Sequence, residues 1–130
     1  MLYNGKWGDF MNRRKKLIQD ILGKSIHVVI DRPVGYCHKG LTYPVNYGYI
    51  PGVMTGDGEE QDVYILGVET PLTEFDGVVI GAALRRNDAE DKLIAAPESM
   101  CFSREQMAAA VNFQERYFDT LVITQPEELP

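Results

Sequence analysis

Residues 56–62, GDGEEQD, join an aromatic segment, YPVNYGYI, to an apolar strand-like one, DVYILG. No other part of the chain constrains the fold as tightly, because two extended runs must meet at a turn that carries both glycines and carboxylates. Asp57, Glu59 and Asp62 cluster there, and Asp62 falls at the start of a rigid element instead of on a swinging loop. Carboxylate oxygens suit magnesium, manganese and calcium, whereas zinc and softer metals recruit imidazole or thiolate. The two histidines, His27 and His38, are remote from this turn in sequence. Asp and Gly also populate ordinary turns, so a solvated loop and a hard-metal site are both consistent with the turn alone.

A second acidic cluster, Asp88, Glu90 and Asp91, precedes another apolar run, KLIAA, and is followed by Lys92. Taken alone it reads as a charged hairpin tip. Two acidic strand mouths that converge in space would instead hold several divalent cations, clamp phosphoryl oxygens and lower the pKa of a water.

With 130 residues and 45% hydrophobic content, the chain can form one domain with a real core. Its formal charge of −6 argues against general nucleic-acid binding, which needs basic patches to displace counterions. The run Arg13-Arg14-Lys15-Lys16 is the exception, and it is read as the solvated face of a helix whose apolar side carries Phe10, Leu17, Ile18, Ile21 and Leu22. No signal peptide or membrane-spanning run is evident. Cys37 and Cys101 lack metal-type spacing, so a reducing cytoplasm is expected. A thiolate phosphate-binding loop would place an arginine a few residues after its cysteine; positions 43 and 107 hold Tyr and Met.

After the first helix Gly23 offers a stop, and SIHVVID reads as a strand. RPVGYCHKGLTYP reads as a loop, and NYGYI and DVYILG as further strands. GVVIGAALRR and KLIAAP form an expected hairpin around the Asn87-Asp88 turn. Ser103 to Gln106 fit a capping box, with Phe102 and Met107 at the staple positions. The helix that follows would show Met107, Ala110, Val111 and Phe113 or Tyr117 on one side. The expectation is a helical extension over residues 1–24 and a single domain over 25–130. Periodicity alone gives only α+β, mostly antiparallel; the sum of the elements, several short strands with two or more flanking helices, reads as mainly β, a small barrel-like sheet with the helices packed outside.

The stretch YPVNYGYIPGVMTGDGEEQDVYILG resembles the core signature of the soluble family I inorganic pyrophosphatases, in which a YPxNYGYI-like segment precedes a DGDPxD-type acidic motif. VVIDRP, NDAEDKLIAAP and NFQERYF are similar to the family's first acidic strand, its Asp-Asp-Lys segment and its C-terminal helix, in the same order. The resemblance implies an OB-like five-stranded β-barrel and hydrolysis of pyrophosphate to two phosphates with magnesium, manganese being the alternative ion. It implies a small phosphate-containing substrate, no nucleic acid or membrane partner, and a tendency of family members to assemble as homo-oligomers. Carried over by position, Asp57, Asp62 and Asp91 are the first-metal ligands, Asp88 helps hold further ions and Asp31 stands at the edge of the set. Glu59 falls where the family has the aspartate that takes a proton from the nucleophilic water. Tyr47, Lys92 and Tyr117 are the phosphate contacts.

The chain departs from that pattern at several positions. Glu59 replaces the motif's Asp and Glu60 its Pro; Phe118 follows Tyr117 where the family has Lys. Between Asp31 and Tyr43 the segment is shorter than the family's hairpin with its phosphate-binding Lys and Arg, leaving Arg32, His38 and Lys39 as the cations there. Glu90 could exchange roles with Asp91, because the acidic turn is also short. These departures keep two alternatives open: hydrolysis of another phosphate ester or anhydride, and a non-catalytic metal- or phosphate-binding relative.

Overall fold

The computed structural model describes residues 4–55, 58–86 and 90–130, with side chains throughout these except at 4–7 and 10. Helix α1 (Asn4–Ile21) leads into β1 (Ser25–Arg32), β2 (Cys37–His38), β3 (Leu41–Thr42), β4 (Asn46–Met54), β5 (Glu60–Ile65), β6 (Glu74–Arg85) and β7 (Lys92–Ala96). Helix α2 (Arg104–Glu115), β8 (Thr120–Ile123) and a 3-10 turn (Pro126–Glu128) complete it. Gly23 ends the first helix at φ +81°, a left-handed conformation that glycine adopts without the clash a Cβ would bring.

The strands pair in the order β1-β4-β5-β7-β6, and β6 returns to β1, closing a five-stranded barrel. Closure depends on the length of β6. Its first half pairs with β1 (Val78 opposite Ser25 to Glu74 opposite Val29), its middle with β7, and its end with β8. Every barrel pairing is antiparallel except β5 with β7, where Val63 is level with Leu93 and Ile65 with Ala95. Closing the sheet removes the exposed edges that an open sheet of this size would present.

Alternation along β5 and β7 sorts their side chains onto two faces. Val63, Ile65, Leu93 and Ala95 join Val28, Ile30, Ile50, Phe75 and Val79 in a cluster to which all five barrel strands contribute, with Ile18 of α1 packed into it. Tyr64, Leu66, Ile94 and Ala96 face the other way, against Met107 and Val111 of α2, together with Tyr43 and Tyr47. Helix α2 opens with the expected capping box: Ser103 accepts from the Gln106 N–H and Gln106 accepts from the Ser103 N–H.

Gly48 of the YPVNYGYI segment lies where β1 and β4 press together, and a Cβ there would come within 1.9 Å of the Val29 carbonyl oxygen. Since backbone cannot yield as a side chain tip can, Gly48→Ala is expected to destabilise the protein by about 3 kcal/mol or more, read from its denaturant midpoint.

Several elements differ from the sequence reading. The loop after β1 contains a two-rung ladder in which Cys37 pairs with Thr42 and His38 with Leu41. The strand at Thr120–Ile123 was not expected, although its β-branched content is a strand signal. Arg14 is buried, unlike the rest of its basic run, whose Arg13, Lys15 and Lys16 are exposed. It sits one helical turn before Ile18 and therefore shares the stripe that packs on the barrel.

Candidate active site

The parallel pairing of β5 with β7 explains why two acidic segments so far apart in sequence meet. In a parallel pair both strands run from the same end, so Asp62, one residue before the Val63–Leu93 pair, comes beside Lys92 at the start of β7. Lys92 Nζ lies 2.6 Å from Asp62 Oδ2 and 3.7 Å from Glu90 Oε2. Across the other edge of β5, Tyr49 stands directly opposite Asp62. These groups line a cavity of about 470 Å³ with Asp31, Thr55, Glu59, Glu60 and Asp91.

Each wall has a local cause. Asp31 occupies an irregularity in β1, where the pairing with β4 slips between Ile30 and Arg32; bulges of this kind re-aim side chains. Partial desolvation lifts its carboxyl above the ordinary value, opposed by Arg32 and assisted by the nearby Asp62. The turn that presents Glu59 is held by Thr55, whose N–H and hydroxyl both donate to the Glu59 carbonyl, at 2.7 and 3.0 Å. Glu60 accepts from the Gly52 N–H at 2.8 Å. Gly58 adopts φ +85°, which favours glycine at that step of the turn.

Behind the cavity stands a tyrosine stack. Tyr43, Tyr47 and Tyr64 follow one another at centroid distances of 5.6 and 5.1 Å. Tyr47 is hydrogen-bonded to Asp62, and burial, reinforced by that carboxylate, pushes its phenol far above the ordinary value, so it is a proton donor at every accessible pH. The stack continues through a polar chain. Tyr43 donates to Gln114 Oε1 at 2.6 Å, Gln114 Nε2 donates to the Tyr64 hydroxyl at 2.8 Å, and Tyr64 donates to Glu115. Glu115 is buried in an ion pair with Arg85, whose guanidinium lies 3.6 Å from the centre of the Phe118 ring.

The structure thus brings Asp31, Glu59, Asp62, Asp91 and Lys92 to one cavity and sets Tyr47 against it. Asp57 and Asp88 lie outside the described residues. Tyr117 is 66% exposed beyond the end of α2 and does not line the cavity; its hydroxyl accepts from Arg116. The α2 stripe therefore ends with Met107, Val111 and Glu115. Of the cations left near the short β1–β4 connection, Arg32 donates to the Tyr43 hydroxyl and lies against the rings of Tyr36, Tyr43 and Tyr47. The sequence reading missed Arg14, Arg85 and Glu115; a charged residue at helical spacing from buried apolar ones, Arg14 to Ile18 and Val111 to Glu115, was the available signal.

The donor set is all oxygen, which matches magnesium or manganese better than zinc. Among the described residues no three carboxylates already converge on a single point.

The family model described as inorganic pyrophosphatase matches residues 14–122. The chain belongs to the inorganic pyrophosphatase family. The inorganic pyrophosphatase of Campylobacter jejuni is 25% identical over 142 aligned positions, covering 95% of this chain and 82% of that protein. That of Xylella fastidiosa is 36% identical over 70 positions, 48% of this chain and 38% of its own length. Among solved structures, an inorganic pyrophosphatase from Neisseria gonorrhoeae superposes with a TM-score of 0.58 at 21% identity, over 78% of this chain and 80% of the other. One from Ehrlichia chaffeensis gives 0.58 at 20%, over 79% and 86%. These pyrophosphatase structures share the closed barrel. Among the described residues no helix is long and apolar enough to cross a membrane.

Proposed function

We propose that this pyrophosphatase-family chain hydrolyses inorganic pyrophosphate with magnesium as its ion. The observation that carries the reading is that Asp31, Glu59, Asp62, Glu90, Asp91 and Lys92 line one cavity of a barrel of this family. Pyrophosphate is a compact polyanion, and its hydrolysis needs positive charge on both phosphates and a water of lowered pKa. Divalent ions would supply both, held by Asp57, Asp62 and Asp88, by Asp31 at the edge, and by one carboxylate of the 90–91 pair.

The remaining roles fall to side chains that do not hold the ions. Lys92 is the cation inside the cavity and offers its ammonium to a phosphate oxygen. Tyr47, kept protonated, cannot add a repelling charge to the site, and would donate to a phosphate oxygen by turning its hydroxyl from Asp62. Glu59 takes the proton of the attacking water. Its carboxylate is one methylene longer than the family's aspartate, and its backbone is held at the carbonyl by the N–H and hydroxyl of Thr55. Tyr117, as positioned, would reach a phosphate only after moving.

The test is phosphate release from pyrophosphate with and without magnesium, beside Glu59→Asp and a panel of nucleotides and sugar diphosphates. Magnesium-dependent turnover of pyrophosphate that chelation removes is the expected result. Faster turnover of another substrate would transfer the site to that ester or anhydride, and binding without any turnover would mark a non-catalytic relative. If Glu59 is the base in the geometry of the family, Glu59→Asp retains or raises the rate. A fall of about a hundredfold, the scale on which misplacing a reacting group by an ångström acts, would mean that the site is built around glutamate.

A further inference from the structure

The two carboxylates at the start of β7 have opposite surroundings. The Asp91 side chain is only 13% exposed and meets three donors: Nε and Nη2 of Arg14, in a two-pronged ion pair, and the Arg85 N–H at 3.1 Å. Arg14 Nη2 also donates to the Arg85 carbonyl at 3.0 Å, so one guanidinium ties α1 to both the end of β6 and the start of β7. The Asp91 carbonyl is held in turn by buried Gln61, at 2.9 Å. By contrast, the Glu90 side chain is 45% exposed at the cavity, with Lys92 Nζ and Arg85 Nη1 at 3.7 and 3.6 Å. Both residues line the cavity, but the Asp91 carboxylate is turned to Arg14 of α1, whereas that of Glu90 is turned to Lys92 and Arg85.

We infer that Arg14 is a positioning residue which holds Asp91 as its internal counter-ion, so that Glu90 is the carboxylate this turn offers to a divalent cation. The inference rests on the magnesium-dependent reading above. Its physical basis is geometric and electrostatic. A bidentate guanidinium–carboxylate pair occupies both oxygens in the plane where a cation would bind. A hard cation approaching Asp91 would also have to displace, or sit beside, a fixed positive charge that is almost entirely shielded from solvent. Glu90 has Arg85 and Lys92 at 3.6 and 3.7 Å instead, beyond hydrogen-bonding distance, so neither cation occupies its oxygens as the two-pronged Arg14 occupies those of Asp91. Helix α1 then acts on the chemistry without touching it: it decides which of two adjacent carboxylates is available, and it holds the turn in the orientation that presents the other.

The experiment is calorimetric titration of the full chain with Mn2+, without substrate, each variant being checked for its melting temperature. Arg14→Met is expected to tighten Mn2+ binding by about threefold to tenfold, because it removes a positive charge beside the site. Asp91→Asn should weaken it by a similar factor, because Arg14 is left unopposed. The two shifts should cancel in Arg14→Met/Asp91→Asn, leaving affinity within about threefold of the parent. A role confined to holding the fold would weaken binding in both single variants. If Asp91 were itself a ligand, the double variant would lose tenfold or more, which overturns the inference. Glu90→Gln provides the independent arm, with a loss of about tenfold or more expected and an unchanged affinity equally fatal. Absence of Mn2+ binding by the parent chain would sink the metal reading itself, a result distinct from parental binding that the double variant loses.

Discussion

Replacing Asp62 by Asn will lower magnesium-dependent phosphate release from pyrophosphate by about a thousandfold while leaving the fold intact. Asp62 is where the cavity's elements meet: it lies in the first half of β5, Tyr49 stands opposite, Lys92 lies 2.6 Å away and Tyr47 is hydrogen-bonded to it. An amide keeps the shape of the carboxylate and can still accept from Tyr47 and Lys92 through its oxygen. What it removes is a unit of charge at the centre of the proposed ligand set. Charge stabilisation by a bound cation is worth several kcal/mol, and each 1.36 kcal/mol is a factor of ten in rate, so losing about 4 kcal/mol gives the thousandfold. The fold is largely insulated, because Lys92 retains Glu90 at 3.7 Å and the side chain of Asp62 contributes to neither apolar cluster. Melting temperature and phosphate release are measured on the same preparation. A variant that keeps more than a tenth of parental turnover would remove Asp62 from the ligand set.

Much of the barrel can be read from the chain, because its signals are local. Glycines and carboxylates between extended runs mark the β4–β5 turn, Gly23 marks the end of α1, and the capping box at Ser103 marks the start of α2. The resemblance supplied the closed five-stranded form, which periodicity does not encode. Pairing of β5 with β7 is parallel and joins residues about thirty positions apart, so alternation within either strand is silent about it. Yet that pairing is what sets Asp62 beside Lys92. The choice between Glu90 and Asp91 was illegible for a related reason, since it depends on a guanidinium 77 residues away in sequence from Asp91. A basic run on a helix normally faces water, and only its spacing to Ile18 distinguishes Arg14 from its neighbours. Tyr117 fell outside the expected stripe because α2 ends at Glu115, and the chain then turns toward β8, a strand that had not been expected.

Glu115 is the residue whose removal should cost the fold most, and the reason lies in how completely it is enclosed. On α2 it follows Met107 and Val111 on the buried stripe, and both it and Arg85 have side chains only 3% exposed. Burial alone would raise its carboxyl, but hydrogen bonds from Arg85, Tyr64 and Thr120 outweigh that and hold it below its ordinary value of 4.5. Glu115→Gln leaves the buried Arg85 guanidinium with only the half-exposed Glu90, at 3.6 Å, as counter-charge, and breaking such a buried pair costs about 3–5 kcal/mol. For a chain of this length that corresponds to a fall of roughly 10–20 °C in melting temperature. The pH dependence follows from the sign of the shift. A carboxyl whose folded pKa is depressed binds fewer protons folded than unfolded, so its stabilising contribution is complete above the ordinary value near 4.5 and disappears as pH falls through the lower folded value. The difference in stability between parent and Glu115→Gln, followed by denaturant unfolding from neutral pH downward, should therefore be flat to about pH 4.5 and shrink below it. Arg85→Met/Glu115→Leu should recover much of the loss, because replacing both members of a buried pair by apolar groups avoids the stranded charge. A cost under about 1 kcal/mol for Glu115→Gln at neutral pH, or a difference that grows on acidification, would refute this account of the pair.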